Sequence, residues 1–217
     1  MSKKLTESQI RELAKNNGYE YAALRSVIEV ESNGNGFGND GRLVIQFEPH
    51  KFSLHLGRIA VPHSLQKKTL NGKTYYIIQG QDITVVGGGP SPYEVSINAW
   101  QILNGVEGQT SEYKAFSRAF QFNPDAAMMA SSIGLMQVLG EHYNSLGFKT
   151  VGEMWDFAKV SEYNQVIIAI RFIKLNKKLD AALKNKDWET FAYYYNGSAY
   201  KKFNYHTRMA ASYKKFK

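Results

Sequence analysis

The stretch Leu24-Arg25-Ser26-Val27-Ile28-Glu29-Val30-Glu31-Ser32 decides how this chain is read. Counting back from Glu31 by three, four and seven residues meets Ile28, Val27 and Leu24, the spacing of one helical face, so its carboxyl points with the core-facing side chains. A carboxylate withdrawn from water is harder to ionise. A carboxylic acid that keeps its proton near neutral pH is equipped to protonate a leaving oxygen. Glu29 is the internal control: it falls on nearly the opposite face, one turn from Arg25, where a solvated charge pair is the expectation. The plainer alternative for Glu31 is a helix-end carboxylate that reaches out to water, and helical spacing alone does not separate the two.

The elements on either side are read from the same kind of signal. Thr6 with Gln9 resembles a capping box, and Ile10, Leu13 and Ala14 repeat at helical spacing, which predicts a helix over about 6–16 that Asn17-Gly18 stops. The Glu31 helix runs over about 20–31, and the glycine and asparagine run up to Gly41 is a loop. Leu43 to Phe47 reads as a strand halted by Pro49. Asn71-Gly72 reads as a hairpin turn leading into a strand over 74–78, and Gly87-Gly88-Gly89-Pro90 ends that region. Residues 42–90 are therefore expected to form a small β-rich lobe. Helices are predicted over about 93–103, 111–121, 124–130, 134–146, 150–158, 161–176, 178–185, 187–196 and 205–216. The fold class is mainly α, an α+β body in which one domain spans 1–217, with no internal repeat and no low-complexity linker.

Composition narrows the chemistry. The 217 residues are 43% apolar and 13% aromatic, a globular composition rather than a disordered one. The longest strongly apolar run, Val166 to Ile170, falls far short of the roughly 20 residues that span a bilayer, so membrane insertion is not expected. The start MSKKLTESQI has no apolar stretch behind its lysines and reads as lacking a Sec-type signal. With no cysteine, thiol catalysis, zinc-thiolate sites and disulfides are excluded. The five histidines show no ligand spacing, so no metal and no cofactor is expected. A net charge of +8 favours a polyanionic partner, which could be nucleic acid, anionic lipid or cell-wall polymer. The dispersed basic residues and the lack of an arginine-rich helix argue against nucleic acid.

Three segments share one property: each places a polar group where a helix end meets a glycine, so that backbone can approach a ligand. They are Glu31-Ser32, Ser132-Ile133-Gly134-Leu135-Met136-Gln137, and Tyr194-Tyr195-Asn196-Gly197. In that order they resemble the signature of the goose-type lysozyme and soluble lytic transglycosylase superfamily. More closely, Ile28-Glu29-Val30-Glu31-Ser32, Ile45-Gln46-Phe47-Glu48-Pro49-His50 and Ala130 to Gln137 are similar to the N-acetylmuramidase domain of bacteriophage endolysins, over about Ala22 to Tyr213.

The resemblance implies a lysozyme-like fold and cleavage of the β-1,4 bond between N-acetylmuramic acid and N-acetylglucosamine in the glycan strands of peptidoglycan. It makes Glu31 the catalytic acid, in agreement with the helical-face argument. It places Ser32, Gly134, Met136, Gln137, Tyr195 and Asn196 around the sugars. The transglycosylase form of the last motif reads Ala-Tyr-Asn-Ala-Gly; here Tyr194 replaces the first alanine and the second is missing. The lack of a readable signal suggests synthesis in the cytoplasm and release to the wall by a holin or a secretion machine, as in phage endolysins, and a monomer is expected. A hydrolase needs a second carboxyl, about 5 Å away as nucleophile or about 6.5–9.5 Å away as base for a water. Glu48, beside the rigid Pro49, is preferred over Asp40, which the turn Asn39-Asp40-Gly41 already explains. If neither faces Glu31, attack by the sugar's own 6-hydroxyl gives a 1,6-anhydro product, and a non-catalytic glycan-binding module is the alternative from another class.

Overall fold

The structure, a computed structural model, describes residues 3–32, 35–56, 66–70, 73–77, 84–87, 94–95 and 108–217. Helix α1 (Glu7–Asn17) is opened by a reciprocal capping box: Thr6 accepts from the Gln9 N–H, and the Gln9 side chain accepts from the Thr6 N–H at 2.9 Å. Gly18, at φ 74°, closes it. Helix α2 (Tyr21–Ser32) follows and buries Leu24, Val27 and Ile28, the face that the spacing predicts.

Strand β1 (Ile45–Phe47) is shorter than expected, and Pro49 does more than halt it. It opens a helix, α3 (Pro49–Leu56), which the sequence reading lacks. Proline is well placed at a first helical position, where its missing N–H would have no partner in any case. The Glu48 carbonyl accepts from Lys51 and Phe52 to start the turn. Strands β2 (Gln66–Leu70), β3 (Lys73–Ile77), β4 (Thr84–Gly87) and β5 (Glu94–Val95) form an antiparallel sheet in that order. Leu70 stands opposite Lys73, so the pairing brackets the expected hairpin residues 71 and 72, which lie outside the described residues. The helix expected over 93–103 is contradicted at 94 and 95, which are strand; 93 and 96–103 lie outside the described residues.

Helix α4 (Gln109–Phe122) and helix α5 (Pro124–Met129) join at Asn123, whose side chain caps α5 through the Ala126 N–H. The helix predicted over 134–146 is not there. After strand β6 (Ser131–Ile133), a turn, strand β7 (Val138–Leu139) and a single 3-10 turn, Gly140–His142, open that stretch. Gly134 at φ 70° and Gln137 at φ 50° are both left-handed, and an α-helix cannot run through them. Leu135, Met136 and Val138 are all buried, which imitates a helical stripe although they belong to a tight β-turn and the strand after it, plugged into the core. β6 pairs with β1, Ile133 opposite Ile45, and with β7, Ser132 opposite Leu139.

Helices α6 (Val151–Val160), α7 (Glu162–Leu175), α8 (Lys177–Asn185), α9 (Trp188–Asn196) and α10 (Tyr205–Phe216) lie within two residues of their expected limits. α7 is buried on most of its surface, with Val166, Ile168, Ala169, Ile170 and Ile173 in the core, as a central helix must be. α10 lies along α2, so the end of the chain is brought back against the helix that carries Glu31.

Candidate active site

Glu31 stands in the last turn of α2, and the end of α9 meets it there. Gly197, at φ 83°, breaks α9 immediately after Asn196. The Asn196 side-chain amide then donates to both Glu31 carboxyl oxygens, at 3.0 and 3.1 Å. Its own oxygen is buried without a hydrogen-bond partner among the described residues. As placed, the amide favours the ionised carboxyl, and a half-turn of it would present that oxygen to a protonated Glu31 instead.

Burial pushes the Glu31 carboxyl up to about 7, against the lowering effects of the Asn196 amide and then the Arg208 guanidinium. Arg208, in the first turn of α10, is held by donating to the Val30 carbonyl at 3.2 Å. Tyr195 packs parallel to Phe191, ring centres 5.2 Å apart, and its hydroxyl donates to the Met136 carbonyl at 2.8 Å. Burial, then the Glu31 charge, raises both the Tyr195 and the Tyr205 phenols, so both keep their protons at working pH. The site thus holds one carboxyl poised to carry a proton near neutrality, on a rigid seat built by α2, α9 and α10.

Beside it opens a cavity of about 280 Å³ lined by Glu31, Val44, Ile45, Gln46, Gly108, Gln109, Glu112 and Gln137. Its floor is the free edge of β1, which α4 covers with side chains. Gln109 pairs with both the N–H and the C=O of Ile45, at 2.8 Å each, as a neighbouring strand would. Glu112 accepts from the Phe47 N–H at 2.8 Å, and the Tyr113 hydroxyl donates to Leu43. Burial raises the Glu112 carboxyl, opposed by that Phe47 N–H. A larger cavity of about 710 Å³, walled by Phe37, Tyr113, Phe116 and Trp155, lies beyond Leu43 and contains neither of these carboxyls.

The residues singled out in the sequence separate into groups. Glu31 and Gln137 line the cavity; Asn196 touches Glu31, and Tyr195 stands behind it. Met136 is 1% exposed and packs in the core, so only its carbonyl is used. Gly134 does not border the cavity. It makes room for Gln165: a Cβ there would lie 2.6 Å from the Gln165 side-chain carbon, while that amide accepts from Leu135 and donates to Ala158. Ser32 ends α2, and its side chain is outside the described part. Glu48 is not among the residues lining the cavity; its backbone opens α3 and donates to Ala130. Asp40 is exposed and paired with Arg42, which holds its carboxyl below the usual range.

Gln46, Gln109, Glu112, Tyr205 and Arg208 were not picked out from the sequence. Only Gln46 carried a signal, through the stretch shared with endolysins; the others are ordinary polar positions on helices until the fold gathers them. Among the described residues no three His, Cys, Asp or Glu side chains gather as a metal site.

The N-acetylmuramidase family model matches residues 20–217. Among curated proteins none matches. The crystal structure of the Burkholderia AP3 phage endolysin is similar with a TM-score of 0.73 and 30% identity, covering 100% of this chain and 72% of that chain. The architecture is the lysozyme-like one that the resemblance implied. With the family match running through α2, β1, the Gly134 turn and the end of α9, the chain belongs to the N-acetylmuramidase family.

Proposed function

We propose that this protein is a peptidoglycan-degrading muramidase that hydrolyses the β-1,4 bond between N-acetylmuramic acid and N-acetylglucosamine, with Glu31 as the general acid. The observation that carries the reading is the half-buried Glu31 carboxyl, pushed up to about 7 by its loss of water and clamped by Asn196, at the wall of an open cavity. A neutral acid in that place gives its proton to the glycosidic oxygen as the bond breaks, and the positive charge then forms on the sugar. Asn196 and Arg208 take up the negative charge left on Glu31. Gln46, Gln109 and Gln137 present amides to the cavity, suited to the N-acetyl and hydroxyl groups of the sugars.

The endolysin reading is supported by the phage endolysin that is similar over the whole of this chain. In that reading residues 1–217 act as one catalytic domain and as a monomer, made in the cytoplasm and passed to the wall by holin-type release. The net charge of +8 draws it to the anionic envelope. Among the described residues no helix is long and apolar enough to cross a membrane.

The test is digestion of purified sacculi followed by mass spectrometry of the muropeptides with and without borohydride reduction. Reducing muramic acid ends from the wild type, and none from Glu31→Gln, are expected. Reducing glucosamine ends or 1,6-anhydro-muramic ends from the wild type would overturn the bond assignment or the hydrolysis, respectively.

A further inference from the structure

Hydrolysis of a glycosidic bond needs two groups that handle protons or charge, and Glu31 supplies one. The carboxylates nearest in sequence are accounted for otherwise: Glu29 pairs with Lys215 and Ser212, and Asp40 with Arg42. Glu162, although buried, accepts from the Leu5 N–H at 2.8 Å and the Gly36 N–H at 2.9 Å and pairs with Lys4 at 3.1 Å. Glu112 is different. Among the described residues it is the carboxylate that shares the Glu31 cavity. The same helix end supplies Gly108 and Gln109 to the cavity wall, and the Gln109 pairing with Ile45 locks that end of α4 to β1. One carboxyl oxygen, Oε2, is fixed by the Phe47 N–H, which leaves Oε1 available to a molecule in the cavity.

We propose that Glu112 is the base that takes a proton from the attacking water. The proposal rests on the hydrolytic reading above. In the step, the water oxygen bonds to the anomeric carbon of the muramic acid residue while the bond from that carbon to the glucosamine O4 breaks. The bonding pair goes to O4, which takes the Glu31 proton, and the proton of the water goes to Glu112 Oε1. Glu31 is left ionised and Glu112 protonated; exchange with solvent restores both. Burial makes Glu112 a stronger base than a solvated carboxylate. A water that attacks opposite the departing oxygen leaves the new muramic acid end in the α configuration.

Purified sacculi digested by the wild type, Glu31→Gln, Glu48→Gln, Glu112→Gln and Glu112→Ala test this. Glutamine at 112 keeps an acceptor for the Phe47 N–H, so the thermal unfolding midpoint should hold, while its amide cannot take a proton. The expected results are a loss of reducing-end release of at least ~10²-fold in Glu112→Gln, and the α anomer in fresh wild-type product by NMR. Azide should restore turnover to Glu112→Ala with a muramyl azide product seen by mass, and should not restore Glu31→Gln. Wild-type turnover by Glu112→Gln, or a β product, overturns the base role. So does loss of turnover in Glu48→Gln with turnover kept in Glu112→Gln. If the wild type itself releases no reducing ends, the hydrolytic reading fails and this one with it; an active wild type with an inactive Glu31→Gln isolates any failure to Glu112.

Discussion

Glu29 and Glu31 lie two residues apart on α2, and α10 packs beside both, yet the two carboxyls live in opposite surroundings. Glu29 accepts from Lys215 at 2.8 Å and Ser212 at 3.0 Å with Arg25 at 3.9 Å, and these partners hold it below the usual carboxylate range. Glu31 receives one neutral amide and a more distant guanidinium, too little to offset its loss of water, and rises to about 7. A turn of helix moves a side chain by roughly 100° per residue, so two residues carry it from a solvated rim to an enclosed seat. Type of residue did not decide the chemistry; the face did.

Removing the carboxyl at Glu31 should break this contrast most. Glu31→Gln is expected to lower muropeptide release by ~10²–10⁴-fold, because the proton donor is gone. The same change should stabilise the fold in alkali. The native carboxyl binds its proton more tightly than the unfolded one, so the stability it contributes is full below about 4.5 and is lost as pH rises through about 7. An amide has no such loss, and chemical unfolding should show Glu31→Gln gaining up to ~3 kcal/mol over the wild type at pH 8 and little at pH 4. In the wild type, kcat/KM should fall on the alkaline side as pH passes about 7.

Asn196→Leu sharpens the comparison by leaving Glu31 in place without its amide. Turnover should fall roughly ten- to a hundredfold because the acid is no longer aimed. The amide favours the ionised form, so its loss should move the alkaline limb of the pH profile to higher pH. Gly134→Ala addresses the turn behind the site: a methyl at φ 70° with Gln165 at 2.6 Å should cost ~1–3 kcal/mol in urea unfolding. Glu29→Gln should be the mildest, under ~1 kcal/mol, with turnover unchanged, since exposed ion pairs are weak.

Where local signals and burial agree, the chain was readable. The Thr6–Gln9 box, the Leu24, Val27 and Ile28 stripe and the late helices all came from spacing and caps, which act within a turn or two. The stretch 134–146 misled because a buried β-turn makes consecutive residues apolar, and only the left-handed angles at Gly134 and Gln137 give it away. Pro49 suits either the end of a strand or the first turn of a helix, and in the fold it is the start of α3. Of the residues gathered at the candidate site, Glu31, Gln137 and Asn196 are legible in motifs, while Glu112 and Arg208 are not, because nothing within their own helices distinguishes them from surface charges.

By itself the sequence determined that Glu31 faces inward, since helical periodicity is fixed by the backbone and the apolar residues around it choose the buried side. It determined as well that none of these 217 residues can supply a thiol. Tertiary structure alone decided what the acid meets there: an amide from the end of α9, a guanidinium from α10, and a cavity whose other carboxyl comes from α4. Desolvation and partner geometry arise between elements far apart in the chain, and these set the proton affinity on which the chemistry depends.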